Sequence, residues 1–157
     1  MSLKKGDKAP EFKLFSSDKN EVSLSDYKGK NLVVLFFPLA FTSVCTAELC
    51  NIRDNYNDYE KLNTDVVGIS VDSLFVLGKF KESEKYNFPL LSDFNKEVSK
   101  AFGVLYEEFP VFGMKGVSHR ASFVIDKNGV IQHAEDLPSP QDMPNFDSIK
   151  NVLSSLN

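Results

Sequence analysis

The 157-residue chain has no tryptophan, two cysteines, two histidines and a net charge of −4. Each shortage removes a class of explanation. Two cysteines cannot supply the disulfide framework on which small secreted domains rely; in a reducing setting such cysteines are more often catalytic or inert than structural. A mildly acidic chain without a basic cluster lacks the footprint of a nucleic-acid binder. The longest apolar stretch, Leu32 to Phe37 and slightly beyond, is far shorter than the roughly 20 residues a membrane-spanning helix needs. The opening "MSLKKGDKAPEF" has lysines but no apolar segment after them, so no signal peptide is expected and the expected location is cytoplasmic. No internal repeat, low-complexity tract, Gly-rich phosphate loop or paired-carboxylate signature stands out.

What is present suits one globular domain over residues 1–157, with 42% hydrophobic residues to build its core. Strand-like runs recur as "NLVVLFF", "TDVVGISVD", "FPLLSD", "ASFVID" and "VIQHAE", the last two flanking Lys127-Asn128-Gly129, a strong hairpin signal. Helical patterns fall at about Val44 to Leu62, Phe75 to Tyr86, Lys96 to Phe102 and along "FDSIKNVLSSL". Strands alternating with helices before a closing hairpin and a last helix predict an α/β architecture with a mixed sheet. The unbroken apolar run "NLVVLFF" suits a central strand covered on both faces. Pro138, Pro140 and Pro144 mark a surface loop before the last helix.

Both cysteines lie in "FFPLAFTSVCTAELC", on the helix that follows Pro38. Cys45, Leu49, Ile52, Tyr56 and Tyr59 recur at the four- and three-residue spacing of an inward stripe. Thr42 or Ser43 is the expected N-cap, its hydroxyl accepting from a first-turn amide. Thr46, Cys50, Arg53, Asn57 and Glu60 form a more polar row about 100° around the helix. Cys45 is therefore an inward residue of the first turn, and Cys50 belongs to a wetter face.

A helix N-terminus, a nearby cation and donors aimed at sulfur all favour the reactive thiolate of a cysteine. Position gives Cys45 the first, Thr42 offers a hydroxyl, and "SHRASFVID" offers Arg120 at the start of a predicted strand. The competing reading is a small buried core residue, since free cysteine is commonly buried. Metal binding is poorly supported: C-x₄-C is wider than the usual zinc pairs, with only His119 and His133 besides. His119 reads as a pocket or surface residue rather than a ligand, His133 as solvent-facing, and "KESEK" as a solvated helix face. The many phenylalanines, Phe36, Phe37, Phe41, Phe109 and Phe112 among them, read first as core and loop packing. Some are candidates to line an apolar mouth, and Phe41 with "FPVFGM" to form part of a dimer face.

Pro38, Thr42 and Cys45 make P-x-x-x-T-x-x-C, which resembles the active-site signature of the peroxiredoxins, thiol peroxidases on a thioredoxin-like fold. The similarity extends to "KGDKAPEFKL", like their N-terminal hairpin extension, to "DVVGISVDS" and "FPLLSD", and to "RASFVIDKNGVI", like their arginine-bearing strand and hairpin. The resemblance implies a central mixed sheet flanked by helices and chemistry that uses no cofactor and no metal. It implies that Cys45 attacks peroxide and becomes a sulfenic acid, and that Thr42 hydrogen-bonds the sulfur and the peroxide. Pro38 would shield the sulfur, Arg120 would hold the thiolate and polarise the peroxide, and Glu48 would orient the arginine.

The spacing from Cys45 to Cys50 resembles the bacterioferritin-comigratory-protein group, in which the second cysteine resolves the first. "FFPLAFT", "AEL" and "FPLLSDF" read more like the alkyl-hydroperoxide-reductase-E type. Five residues of helix separate two positions by about 7.5 Å of rise and about 140° of rotation, outside disulfide reach. The first turn must unwind before Cys50 can bond Cys45. Cys50 is otherwise a bystander, with Cys45 reduced directly by an external thiol. The implied partners are a peroxide, a thioredoxin- or glutaredoxin-like reductant or small thiol, and a second copy in a homodimer. The rival from another class is a redox sensor or holdase. A thioredoxin-type disulfide oxidoreductase usually needs C-x-x-C, which is absent.

Overall fold

The computed structural model describes residues 3–157. Its strands are β1 (Lys13–Ser16), β2 (Glu21–Ser23), β3 (Asn31–Phe36), β4 (Thr64–Ser70), β5 (Leu90–Ser92), β6 (Arg120–Ile125) and β7 (Ile131–Leu137). Its helices are α1 (Ser43–Asp54), α2 (Tyr56–Lys61), α3 (Leu74–Glu84), α4 (Glu97–Ala101) and α5 (Phe146–Ser155), with a 3₁₀ turn at Leu24–Tyr27. The strands form one mixed sheet in the order β2-β1-β5-β4-β3-β6-β7. β3, β4 and β5 run parallel, as βαβ crossovers through α1–α2 and α3 require, and β6 pairs antiparallel with the other side of β3.

β3 is buried on both faces, as its apolar run predicts. Alternation along it builds two cores. Leu32, Val34 and Phe36 join Phe12, Val67, Phe102 and Phe123 on one face. Val33 and Leu35, with Phe37 just beyond, join Cys45, Leu49, Ile52, Phe80 and Leu153 on the other. Cys45 thus belongs to the core between α1 and the sheet. Gly68 on β4 permits this close packing: a Cβ there would lie 2.9 Å from Leu90 Cδ2 and 3.3 Å from Phe37 Cε1.

Two sequence expectations change in detail, and the hairpin expected at Lys127-Asn128-Gly129 is present. The helix expected over Val44 to Leu62 breaks at Asn55, whose backbone leaves helical geometry at φ −115° and ψ 19°. Its side-chain amide donates to Asn51 O at 2.8 Å, a local bond that competes with the helical ladder. Only the last two residues of "KGDKAPEFKL" enter the N-terminal hairpin of β1 and β2, which continues the sheet beyond β5. The preceding residues tie to the far hairpin instead, where the Ala9 amide donates to Gly129 O. That hairpin turns through a three-residue loop ending in Gly129 at φ 82°, with Asp126 Oδ1 accepting from the amides of Asn128 and Val130.

Candidate active site

The chain leaves β3 at Phe36 and reverses through Pro38 to Phe41 before α1 begins. Asp72, just past β4, pins this loop: its Oδ2 accepts from the Ala40 amide at 2.8 Å and from Ser70 Oγ at 2.7 Å. Phe41 takes a left-handed conformation, φ 67°, uncommon for a bulky residue. Its ring packs on Phe80 at 4.9 Å between centroids, one contact that offsets the strain.

Thr42 is the N-cap, but its hydroxyl does not accept from a first-turn amide. It donates to Leu39 O at 2.9 Å, tying the cap back into the loop. The first-turn amides of Ser43, Val44 and Cys45 have no acceptor within the helix. Cys45, the third helical residue, is 1% exposed.

Arg120 opens β6 and is also buried. Its Nη2 donates to Cys45 Sγ at 3.3 Å and to Pro140 O at 2.9 Å, while Nη1 donates to Glu48 Oε1 at 2.6 Å. Glu48 lies one turn after Cys45 and is fully buried; burial pushes its carboxyl up to about 7, against the opposing pull of Arg120. The guanidinium, always charged, is thus held by a carboxyl and a carbonyl and presents a donor to sulfur. A cavity of about 300 Å³ opens onto this sulfur, walled by Pro38, Leu39, Thr42, Phe109, Met114 and Pro140 among others.

Pro38, Thr42, Cys45, Glu48 and Arg120 therefore lie together, and Cys50 does not lie with them. Cys50 is half-buried at a second corner, its Sγ 3.6 Å from Glu84 Oε1 and 3.8 Å from Tyr86 Oη. The expectation that "KESEK" is a solvated face fails at Glu84, the last residue of α3, whose carboxylate reaches Cys50 on α1. His133 is also not solvent-facing: it is half-buried on β7, and burial holds its imidazole below its ordinary value. His119 bonds Asp136 Oδ1 through Nδ1 at 2.8 Å and packs on Tyr106. Pro140 lies in the expected loop before α5, and nothing local in the sequence marks it as a carbonyl acceptor for Arg120. Asp72 likewise carries no sequence signal beyond an aspartate after a strand.

Fold and site together define a class: a mixed-sheet α/β protein of thioredoxin-like build with a buried cysteine at a helix start, faced by an arginine. Residues 5–134 match the AhpC/TSA family. The chain is 42% identical over 134 residues to peroxiredoxin Bcp of Escherichia coli, covering 85% of this chain and 86% of that protein. It is 43% identical over 140 residues to the chloroplastic 2-Cys peroxiredoxin BAS1 of Spinacia oleracea, covering 82% of this chain but 51% of that protein. The chain thus spans about half the length of such plant relatives. Among solved structures, peroxidoxin BcpB of Mycobacterium tuberculosis superposes with a TM-score of 0.87 at 28% identity, covering 99% of both chains. The chain belongs to the peroxiredoxin (AhpC/TSA) family. Among the described residues, no helix is long and apolar enough to cross a membrane.

Proposed function

We propose that this chain is a thiol peroxidase, reducing hydrogen peroxide and organic hydroperoxides through a sulfenic acid at Cys45. The observation that carries the reading is the Arg120 guanidinium 3.3 Å from Cys45 Sγ, beside a cavity open to a small substrate. As thiolate, Cys45 attacks one peroxide oxygen: an S–O bond forms, the O–O bond breaks, and the leaving oxygen departs as alkoxide or hydroxide and takes up a proton. Arg120 and the first-turn amides supply positive potential where that charge develops. The Thr42 hydroxyl, its proton committed to Leu39 O, offers lone pairs to the proton of an incoming peroxide. Pro38 is buried and walls the sulfur from water, and Glu48 holds the arginine's fork. Atoms balance with peroxide and thiols alone. The apolar wall of Leu39, Phe109 and Met114 suits an alkyl group.

Cys50 serves in this reading as the resolving thiol, after the first turn of α1 unwinds. A thioredoxin- or glutaredoxin-like protein or a small thiol then reduces the disulfide. The domain works as one unit over residues 1–157, in the cytoplasm, as a homodimer. Support for the dimer comes from Phe41, Val111 and Phe112, which are 55%, 48% and 89% exposed, Phe112 also lining the cavity at Cys45.

The test is intact mass after one equivalent of peroxide is added to reduced protein, for wild type and Cys50→Ser. Wild type should lose two hydrogens and Cys50→Ser should gain one oxygen. A wild type that stays a monomeric sulfenate removes the resolving role of Cys50. A Cys45 that reacts no faster than a free thiol removes the peroxidase reading.

A further inference from the structure

The resolving step needs a nucleophile at Cys50, and the turn after α3 surrounds that thiol with specific groups. α3 ends at Glu84, and Lys85 takes a left-handed conformation, φ 56° and ψ 43°. Glu84, the last residue of the helix, and Tyr86, just past the turn, both face α1. Cys50 Sγ lies 3.6 Å from Glu84 Oε1 and 3.8 Å from Tyr86 Oη. The buried Tyr86 hydroxyl also donates to Thr46 O at 3.4 Å, next to the first turn. Arg53, one turn further along α1, bonds the Glu84 carbonyl. Glu84 and Arg53 are the charged groups that act on this thiol.

We propose that Glu84 is the base that takes the Cys50 proton, and Tyr86 the donor that steadies the resulting thiolate, when the Cys45–Cys50 disulfide closes. This rests on the reading of Cys50 as resolving thiol. Burial pushes the Cys50 thiol up, so it is protonated at neutral pH and needs an acceptor for its proton. Leu49 and Ile52 are fully buried and Arg53 is tied to α3, so unwinding the first turn moves Cys45 while Cys50 keeps its neighbours. The same unwinding removes the Thr46 carbonyl from Tyr86 and frees the hydroxyl for sulfur. In the step itself the Cys50 S–H proton passes to the Glu84 carboxylate and the thiolate attacks Cys45 sulfur. The S–S bond forms, the S–O bond of the sulfenic acid breaks, and hydroxide leaves as water after taking up the proton that Glu84 returns.

The experiment pulses reduced protein with one equivalent of hydrogen peroxide, quenches with a thiol-blocking reagent, and follows sulfenate and disulfide by intact mass. Glu84→Gln should slow disulfide closure at neutral pH on the order of 10²-fold, the scale of general base catalysis. Its rate should climb steeply with pH and meet wild type in alkali, where hydroxide ionises the thiol unaided. Glu84→Asp should recover part of the loss, and Tyr86→Phe should slow closure at every pH without changing the slope. Equal rates for wild type and Glu84→Gln, or a deficit that persists unchanged into alkali, overturn the proposal. A wild type that forms no disulfide overturns both this proposal and the resolving role beneath it. Normal closure in Glu84→Gln overturns this proposal alone.

Discussion

Cys45 and Cys50 share a helix and differ in almost everything that surrounds them. Cys45 faces a guanidinium, lies beneath a pinned loop and borders a cavity. Cys50 faces a carboxylate and a phenol at a half-buried corner. Neither difference comes from the helix: Arg120 arrives from β6, and Glu84 and Tyr86 from the end of α3 and the residues after it. In the proposed reading, one corner carries developing negative charge and the other accepts a proton. Two thiols of identical chemistry acquire different surroundings from what the sheet and α3 bring to them.

Removing Arg120 should collapse the contrast most. Arg120→Met deletes the donor to Cys45, and we expect the second-order rate of Cys45 oxidation to fall about 10²–10³-fold. Alkylation of Cys50 should be unchanged in the same variant, as read by peptide mass. Arg120→Lys keeps the charge but loses the fork that spans Glu48, Pro140 and sulfur, and should recover only part of the rate. A rate close to wild type in Arg120→Met, with circular dichroism unchanged, would sink the assignment. A smaller loss, about tenfold, is expected for Thr42→Val, which removes one hydrogen bond to the substrate. Thr42→Ser should stay near wild type. Thr42→Val should also cost about 1 kcal/mol of stability, the one net hydrogen bond to Leu39 O, so a deficit explained by unfolding would show in the melting curve.

Much of this was legible in the sequence because it is local. β3 carries a continuous apolar run, and its burial on both faces follows from that run. Cys45, Leu49 and Ile52 obey helical spacing, and the structure buries all three. The paired sites that need distant chain were less legible. Glu84 lies in a charged run whose composition reads as solvated, and only the placement of the end of α3 beside α1 brings it to Cys50. Pro140 contributes a backbone carbonyl, which no side-chain pattern encodes. The break at Asn55 was hidden by apolar periodicity, which continues through it to Tyr59 while the asparagine side chain takes the Asn51 carbonyl. The loop that holds Thr42 depends on Asp72, which is 32 residues from Ala40 in sequence.

The two corners should also part in their response to pH. Burial pushes the Glu48 carboxyl up from 4.5 to about 7, so between those values the native protein holds a proton that the unfolded chain has released. The associated stability is fully present below the unfolded value and is lost as pH rises through about 7. Each pH unit in that interval is worth at most about 1.4 kcal/mol, and the whole interval about 3 kcal/mol at most. Arg120 opposes the shift, and the value of about 7 is what remains after its pull. Glu48→Gln keeps an oxygen acceptor for Arg120 Nη1 but cannot titrate, so the decline should flatten. Glu84→Gln, at the other corner, should leave the decline in place. Urea midpoints of the three reduced proteins across this pH range make the comparison. Parallel curves for wild type and Glu48→Gln would mean that the carboxyl beside Arg120 keeps the same charge folded and unfolded. The guanidinium would then face Cys45 with its partner already ionised, and the asymmetry between the two thiols would rest on geometry alone.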